Sequence, residues 1–255
     1  MKTIRLVLAY DGTGYHGWQI QPNGISIQQT LENSLARITG ESVTVLSAGR
    51  TDAGVHALGQ VAAFRTQSRH TPEIFLRALN ATLPDDIRIL AADEAPDAFH
   101  PRFDAKSKIY TYLIANHADL SPFAARYAWR IRTRLDREAM ETAAACLVGK
   151  HDFTSFQASG CAAQSAVRTL TACAVEELSG IDFLGFSLPG RFIRISVEAD
   201  AFLRHMVRNI VGTLAEVGSA KRKAGAVSEL LQLRNRSAAG PTAPACGLFL
   251  YRVLY

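Results

Sequence analysis

The first 95 residues switch between two hydrophobic periods in a set order. That order narrows the possible folds more than any other feature of the chain. IRLVLAY (4–10) alternates as a strand does. SIQQTLENSLARITG (26–40) puts Ile27, Leu31, Leu35 and Ile38 on one helical face. Ser26 with Gln29 fits a capping box, and Gly40 a helix stop. SVTVLSA (42–48) and LGQVAAFRT (58–66) read as strands. Thr71 and Pro72 open a second helix, 72–83, with proline at its first position. DIRILAADEA (86–95) is a further strand. The order β-α-β-β-α-β is the ferredoxin-like arrangement.

The remainder repeats that theme with additions. SKIYTYLIAN (107–116) reads as a strand and YAWRIRT (127–133) as a short one. Asp136 is placed to cap a helix over 137–149, with Leu135 and Met140 spaced as a hydrophobic staple. Strands are expected over 165–178, 182–188 and 191–199, the last two joined by a turn at Pro189–Gly190. A long helix is expected over 201–218 and a shorter one over 225–235. In the long helix Arg204 and Arg208 would share a face. GLFLYRVLY (247–255) reads as a closing strand. The expected fold class is α+β: two ferredoxin-like halves, 1–104 and 105–255, with packed antiparallel sheets and a central cleft.

A formal net charge of +5 over 255 residues favours a polyanionic partner without requiring one. The four cysteines show no CxxC spacing, which points to reduced, partly buried thiols. MKTIRLVLAYDG reaches acidic and glycine residues too early for a signal peptide, and no apolar run has the length of a membrane span. A cytoplasmic location without membrane contact is expected.

SAGRTDAGVHALGQVAAF (47–64) carries the one arrangement that suggests chemistry. A lone carboxylate, Asp52, sits between Arg50 and His56 in a glycine-broken loop bounded by strands. An ionised aspartate can attack carbon or stabilise positive charge on a sugar, and it is a poor general acid. By spacing alone it can equally do no more than organise its own turn. No GK[ST] follows, so this is not a phosphate loop. Gly54, between Asp52 and His56, argues against the helix that a zinc pair at this spacing would need.

AGRTDAGVHALGQV, YDGTGYHGWQIQ (10–21), FHPRFDAKSKIYTYLI (99–114), GKHDFTSF (149–156), SAVRT (165–169) and FLRHMVRNIVG (202–212) together resemble the tRNA pseudouridine synthase A (TruA) family over nearly the whole chain. The resemblance implies isomerisation of uridine to pseudouridine at nucleotides 38, 39 and 40 of the tRNA anticodon arm. No cofactor or metal is implied, because the atoms are conserved. It implies a homodimer whose partner is the tRNA anticodon arm. Asp52 matches the family's essential aspartate, and Tyr110 its active-site tyrosine, whose ring can stack on uracil. Arg208 matches the arginine that pairs with that aspartate, and Arg50 the one that fills the space left by the extruded base. Leu248 matches an apolar residue packed on the target base. Lys108 stands where the family usually has arginine, keeping the charge without the planar fork.

Several other stretches would suit RNA. Tyr15, His16 and Trp18 form an aromatic and glycine loop, HDFTSF and SAVRT offer hydroxyls, aromatics and Arg168, and Lys221, Arg222 and Lys223 form a basic cluster. A noncatalytic RNA-binding or chaperone protein on the same scaffold is the competing reading. An acid aimed at a polyanion separates the two, because a binding module has no use for it.

Overall fold

The computed structural model describes residues 1–117, 120–161, 163–183 and 185–255. The chain forms two compact units, one of Met1–Lys106 with Phe249–Tyr255 and one of Ser107–Leu248. The fold is α+β, and most strand pairs are antiparallel.

In the first unit the elements are β1 (Lys2–Tyr10), α1 (Ile27–Thr39), β2 (Leu46–Ser47), β3 (His56–Thr66), α2 (Pro72–Thr82) and β4 (Ile87–Ala95), the expected β-α-β-β-α-β order. Strand β1 lies between β4 and β3 and is antiparallel to both. The second edge of β3 is shared by two short partners. Strand β2 pairs at Ala62 and Ala63, while Phe249 and Leu250 of the last strand, β10 (Leu248–Leu254), pair in parallel at His56 and Ala57. Strand β2 is much shorter than the reading of 42–48, because only Leu46 and Ser47 reach this edge. Val43 and Val45 bury their side chains without ladder pairing.

Ile4, Leu6, Leu8 and Tyr10 alternate into the core, as period 2 requires. Ile27, Leu31 and Leu35 of α1 are fully buried, and Phe64 meets Phe75 of α2 edge-on at 5.2 Å. The Ser26 hydroxyl accepts the Gln29 N–H at 3.2 Å, and Gly40 ends the helix at φ 73.

The second unit contains β5 (Ser107–Ala115), β6 (Trp129–Arg130), α3 (Arg137–Ala145), β7 (Gly149–Asp152), β8 (Val167–Phe183), β9 (Phe186–Ala199), α4 (Met206–Gly218) and α5 (Ala226–Leu233). Its strands run in the order β5-β9-β8-β7, with β6 beside β5. Asp136 accepts the Ala139 N–H at 3.0 Å, and Leu135 and Met140 both pack where a side chain on Gly218 would go. The staple expected from sequence is therefore made against α4.

Three expectations fail here. The turn expected at Pro189–Gly190 is instead strand interior. Gly180 pairs with Pro189 beside a register shift, and a shifted ladder tolerates a residue without an N–H. Phe186–Ala199 is therefore one strand, β9, which pairs with β8 as a long hairpin; Leu184, read as strand, lies outside the described residues. The second failure is α4, which begins at Met206 instead of 201. His205 has φ 60, a left-handed conformation that a right-handed helix cannot contain. Arg204 thus lies off the helix and shares no face with Arg208; it reaches Ser159 O at 3.4 Å. The third is α3, which stops at Ala145 and frees Gly149–Asp152 to pair as β7 with β8.

Candidate active site

Residues 48–55 join β2 to β3 and are held from several sides. Ala48 N–H donates to Val61 O at 2.8 Å, and Gln60 Nε2 to Gly49 O at 2.7 Å. Trp18 N–H donates to Thr51 O at 3.0 Å, and the Tyr10 and Thr51 hydroxyls share a 2.8 Å bond. Val55 N–H closes a turn onto Asp52 O at 3.1 Å, with Gly54 at φ 76. Thr51 is buried between an exposed Arg50 and a half-buried Asp52. The backbone of this turn is thus fixed beside both charged residues. His56 is buried at the start of β3. Its Nδ1 lies 3.1 Å from Gly12 N and 3.0 Å from Asp11 Oδ1, and its ring stacks on Phe249 at 4.8 Å.

The loop 11–21 is the clasp over this turn. Gly17, at φ 88, lies so close that a Cβ would come within 2.6 Å of Thr51 O and 3.0 Å of the Asp52 carbonyl carbon. Tyr15 and Trp18 are buried, and the Tyr15 hydroxyl donates to Asp86 at 2.6 Å. The backbones of Tyr15 and Trp18 are tied to the Asp52 loop, Tyr15 O accepting the Gly54 N–H at 3.3 Å; of the three aromatic residues read for RNA stacking, His16 alone is exposed. Burial pushes the Tyr10 hydroxyl up to about 12, offset in part by its bonds to Thr51 and Gln60. It keeps its proton at neutral pH.

In the second unit Lys108, Tyr110, Tyr112 and Ile114 share the buried face of β5. The Tyr110 ring meets Phe202 edge-on at 4.9 Å, and Tyr112 is fully buried with its hydroxyl donating to Pro244 O at 2.8 Å. Burial raises the Tyr112 pKa, and Cys246 beside it does so further, against the opposing field of Arg208.

Helix α4 is buried along its length except at Arg208 and Glu216. Arg208 Nε donates to Ala243 O at 2.7 Å, and Ala243 N–H returns a bond to Arg208 O at 3.1 Å. The loop carrying Ala243 is locked by buried Asn209, whose Oδ1 accepts from Arg236 Nη2 at 3.0 Å and Thr242 Oγ1 at 2.7 Å. That loop leads directly into Leu248, which is buried. Within this unit, then, Arg208 and the approach to Leu248 are held together, and Tyr112 of the Tyr110 face bonds the same loop. Arg168 lies on β8, two residues before Leu170, which shares the row of Lys108 across β9. Its Nη1 donates to Ser165 O and Val167 O at 2.9 and 2.5 Å.

The comparisons decide the family. The tRNA pseudouridine synthase family matches residues 6–104 and 143–255. A tRNA pseudouridine synthase A of Geotalea uraniireducens (strain Rf4) is 49% identical over 255 residues, covering all of both chains. One from Myxococcus xanthus is 46% identical over all of this chain and 92% of its own, and one from Thermoanaerobacter sp. (strain X514) is 42% identical over both full lengths. The chain belongs to the tRNA pseudouridine synthase family.

A pseudouridine synthase is an isomerase. For such an enzyme the loop of Asp52 and the segments of Arg208 and Leu248 fall inside the two family-matched stretches, whereas Lys108 and Tyr110 fall between them. Other stretches read for RNA turn inward. Phe153 and Phe156 of HDFTSF are core residues, and the Ser155 hydroxyl donates to Leu230 O at 2.5 Å. Arg222 is tied to Glu216 at 2.9 Å and to Ala238 O, which leaves Lys221 and Lys223 as the exposed part of the basic cluster. The cysteines are free and half-buried, as expected. Among the described residues no helix is long and apolar enough to cross a membrane. Sequence reasoning missed Tyr10, Gln60, Tyr112 and Asn209. The one available signal was a polar group at a period-2 or helical core position.

Proposed function

We propose that this pseudouridine synthase acts on uridines 38, 39 and 40 of the tRNA anticodon stem-loop, with Asp52 as its catalytic carboxylate. The N1–C1′ bond breaks and a C5–C1′ bond forms; the C5 proton leaves to solvent and N1 takes one up. No electron or phosphoryl group is exchanged, and the reading assigns no cofactor and no metal. A carboxylate serves as nucleophile at C1′ or uracil C6, or as base in an elimination. In this reading Arg208 is the ion partner of Asp52, Tyr110 contacts the uracil ring, and Leu248 packs on it. Arg50 fills the stack after the base leaves, an extrusion that costs about a few kcal/mol. Lys108 and Arg168 contact the substrate RNA. Met1–Lys106 with Phe249–Tyr255 forms the catalytic half and Ser107–Leu248 the second half. In this reading the tRNA anticodon arm is the partner of a cytoplasmic homodimer.

End-to-end similarity to chains named tRNA pseudouridine synthase A carries this reading. The Asp52 loop supports it, because its backbone is bonded down around a half-buried Asp52 and an exposed Arg50. The test uses tRNA labelled with tritium at uracil C5. The protein should release the label to water without added metal or nucleotide, and Asp52→Ala should abolish release while still binding tRNA. Release by that variant at the wild-type rate would sink the assignment.

A further inference from the structure

We infer that Tyr10 and Gln60 are positioning residues for the Asp52 carboxylate, acting through Thr51 and Gly49; this rests on the reading of Asp52 as catalytic. Gln60, Tyr10 and Thr51 are 0%, 4% and 7% exposed. Burying such groups is costly unless each finds a partner, and these partners are one another and the loop. Gln60 Nε2 donates to Gly49 O at 2.7 Å and lies 3.5 Å from the Tyr10 hydroxyl. Its Oε1 accepts the Val61 N–H at 3.2 Å. The Tyr10 hydroxyl bonds Thr51 Oγ1 at 2.8 Å. The contacts therefore grip the residue before Arg50 and the residue before Asp52. The carboxylate is one peptide away from a buried anchor.

The strands are built to bring the two side chains to this loop. Leu8 pairs with Gln60 but Tyr10 with Ala57, so β3 advances three residues while β1 advances two. Such a bulge re-aims the side chains beside it. Gln60 is also the one buried residue able to donate a side-chain N–H to Gly49 in the otherwise apolar interior run Gln60–Phe64. A leucine or methionine would fill the same core space without holding the loop. The Tyr10 hydroxyl stays protonated at neutral pH, so the bond to Thr51 is kept there.

The test compares Tyr10→Phe, Gln60→Met, Thr51→Val, Thr51→Ser and the Tyr10→Phe/Thr51→Val double variant in single-turnover tritium release, with tRNA Kd measured in parallel; Gln60→Met should lose rate with Kd within about twofold, and a wild-type rate in it would overturn the role of Gln60. Displacements approaching 1 Å cost up to about a hundredfold in rate, so Tyr10→Phe and Thr51→Val should each lose about tenfold or more in rate, with Kd within about twofold. Thr51→Ser, which keeps the hydroxyl, should restore most of the rate. The double variant should fall no lower than the worse single, because both remove one shared bond. Wild-type rates for Tyr10→Phe and Thr51→Val, with Asp52→Ala inactive, would overturn the positioning role and leave the Asp52 assignment standing. Equal loss in Thr51→Ser and Thr51→Val would also overturn it, because packing alone would then explain the effect. An active Asp52→Ala would instead overturn the catalytic reading beneath it. If Tyr10→Phe does not fold, the two Thr51 variants decide the question.

Discussion

Two glycines in the first unit allow strain and positioning to be measured separately. Gly17 and Gly40 both have positive φ, 88 and 73, so alanine at either position costs about 1–2 kcal/mol of backbone strain. Around Gly40 nothing lies within 4 Å of a built Cβ. At Gly17 the Cβ would stand 2.6 Å from Thr51 O, 3.0 Å from the Asp52 carbonyl carbon and 3.1 Å from Ala53 N. Relaxing 2.6 Å to the 3.4 Å of ordinary contact requires a shift of about 0.8 Å. The obstructing atoms are all backbone, so the clasp and the Asp52 loop must part by that much. A misplacement of about 1 Å at a reacting group costs about a hundredfold, so Gly17→Ala should lower single-turnover tritium release by about 10- to 100-fold. Gly40→Ala should leave the rate unchanged. Urea unfolding should show both variants destabilised, Gly17→Ala the more so. A Gly17→Ala enzyme with wild-type rate would refute the link between the clasp and the carboxylate, as would a rate loss of the same size in Gly40→Ala.

Binding of tRNA should weaken as salt rises, and Arg50→Ala should reduce the slope of log affinity against log salt by about one, because the charge of the guanidinium that fills the stack also meets phosphate. A slope near zero in the wild type would rule out phosphate contacts as the basis of binding. Alkaline stability should depend on Tyr10. Its folded pKa is raised from 10.0 to about 12, so the folded state holds this proton longer than the unfolded chain. That stabilisation is complete below about pH 10 and fades as pH rises from 10 to 12, at about 1.4 kcal/mol per pH unit at most. Urea midpoints measured from pH 9 to 11 should fall less steeply in Tyr10→Phe; an unchanged slope would contradict the assignment.

Local pattern was enough to place most elements. The β-α-β-β-α-β order of the first 95 residues, the Ser26 and Asp136 caps and the Gly40 stop all depend on residues within four positions of one another, and the structure reproduces them. The Asp52 loop between two strands was legible for the same reason. What failed depended on partners distant in sequence. Pro189 and Gly190 look like a turn until the partner strand places Gly180 opposite, where a shifted ladder absorbs them. Residues 201–205 have helical composition, yet Asp200 bonds back to Thr169 and His205 takes a left-handed φ, so α4 starts late. Trp18 and Tyr15 read as stacking groups because sequence does not reveal which neighbour covers a ring; the fold buries both rings and ties their backbones to the Asp52 turn. Gln60 looked like one polar residue in an apolar strand. Its meaning came only when β1 delivered Tyr10 to the same loop, a contact across 50 residues that periodicity does not encode.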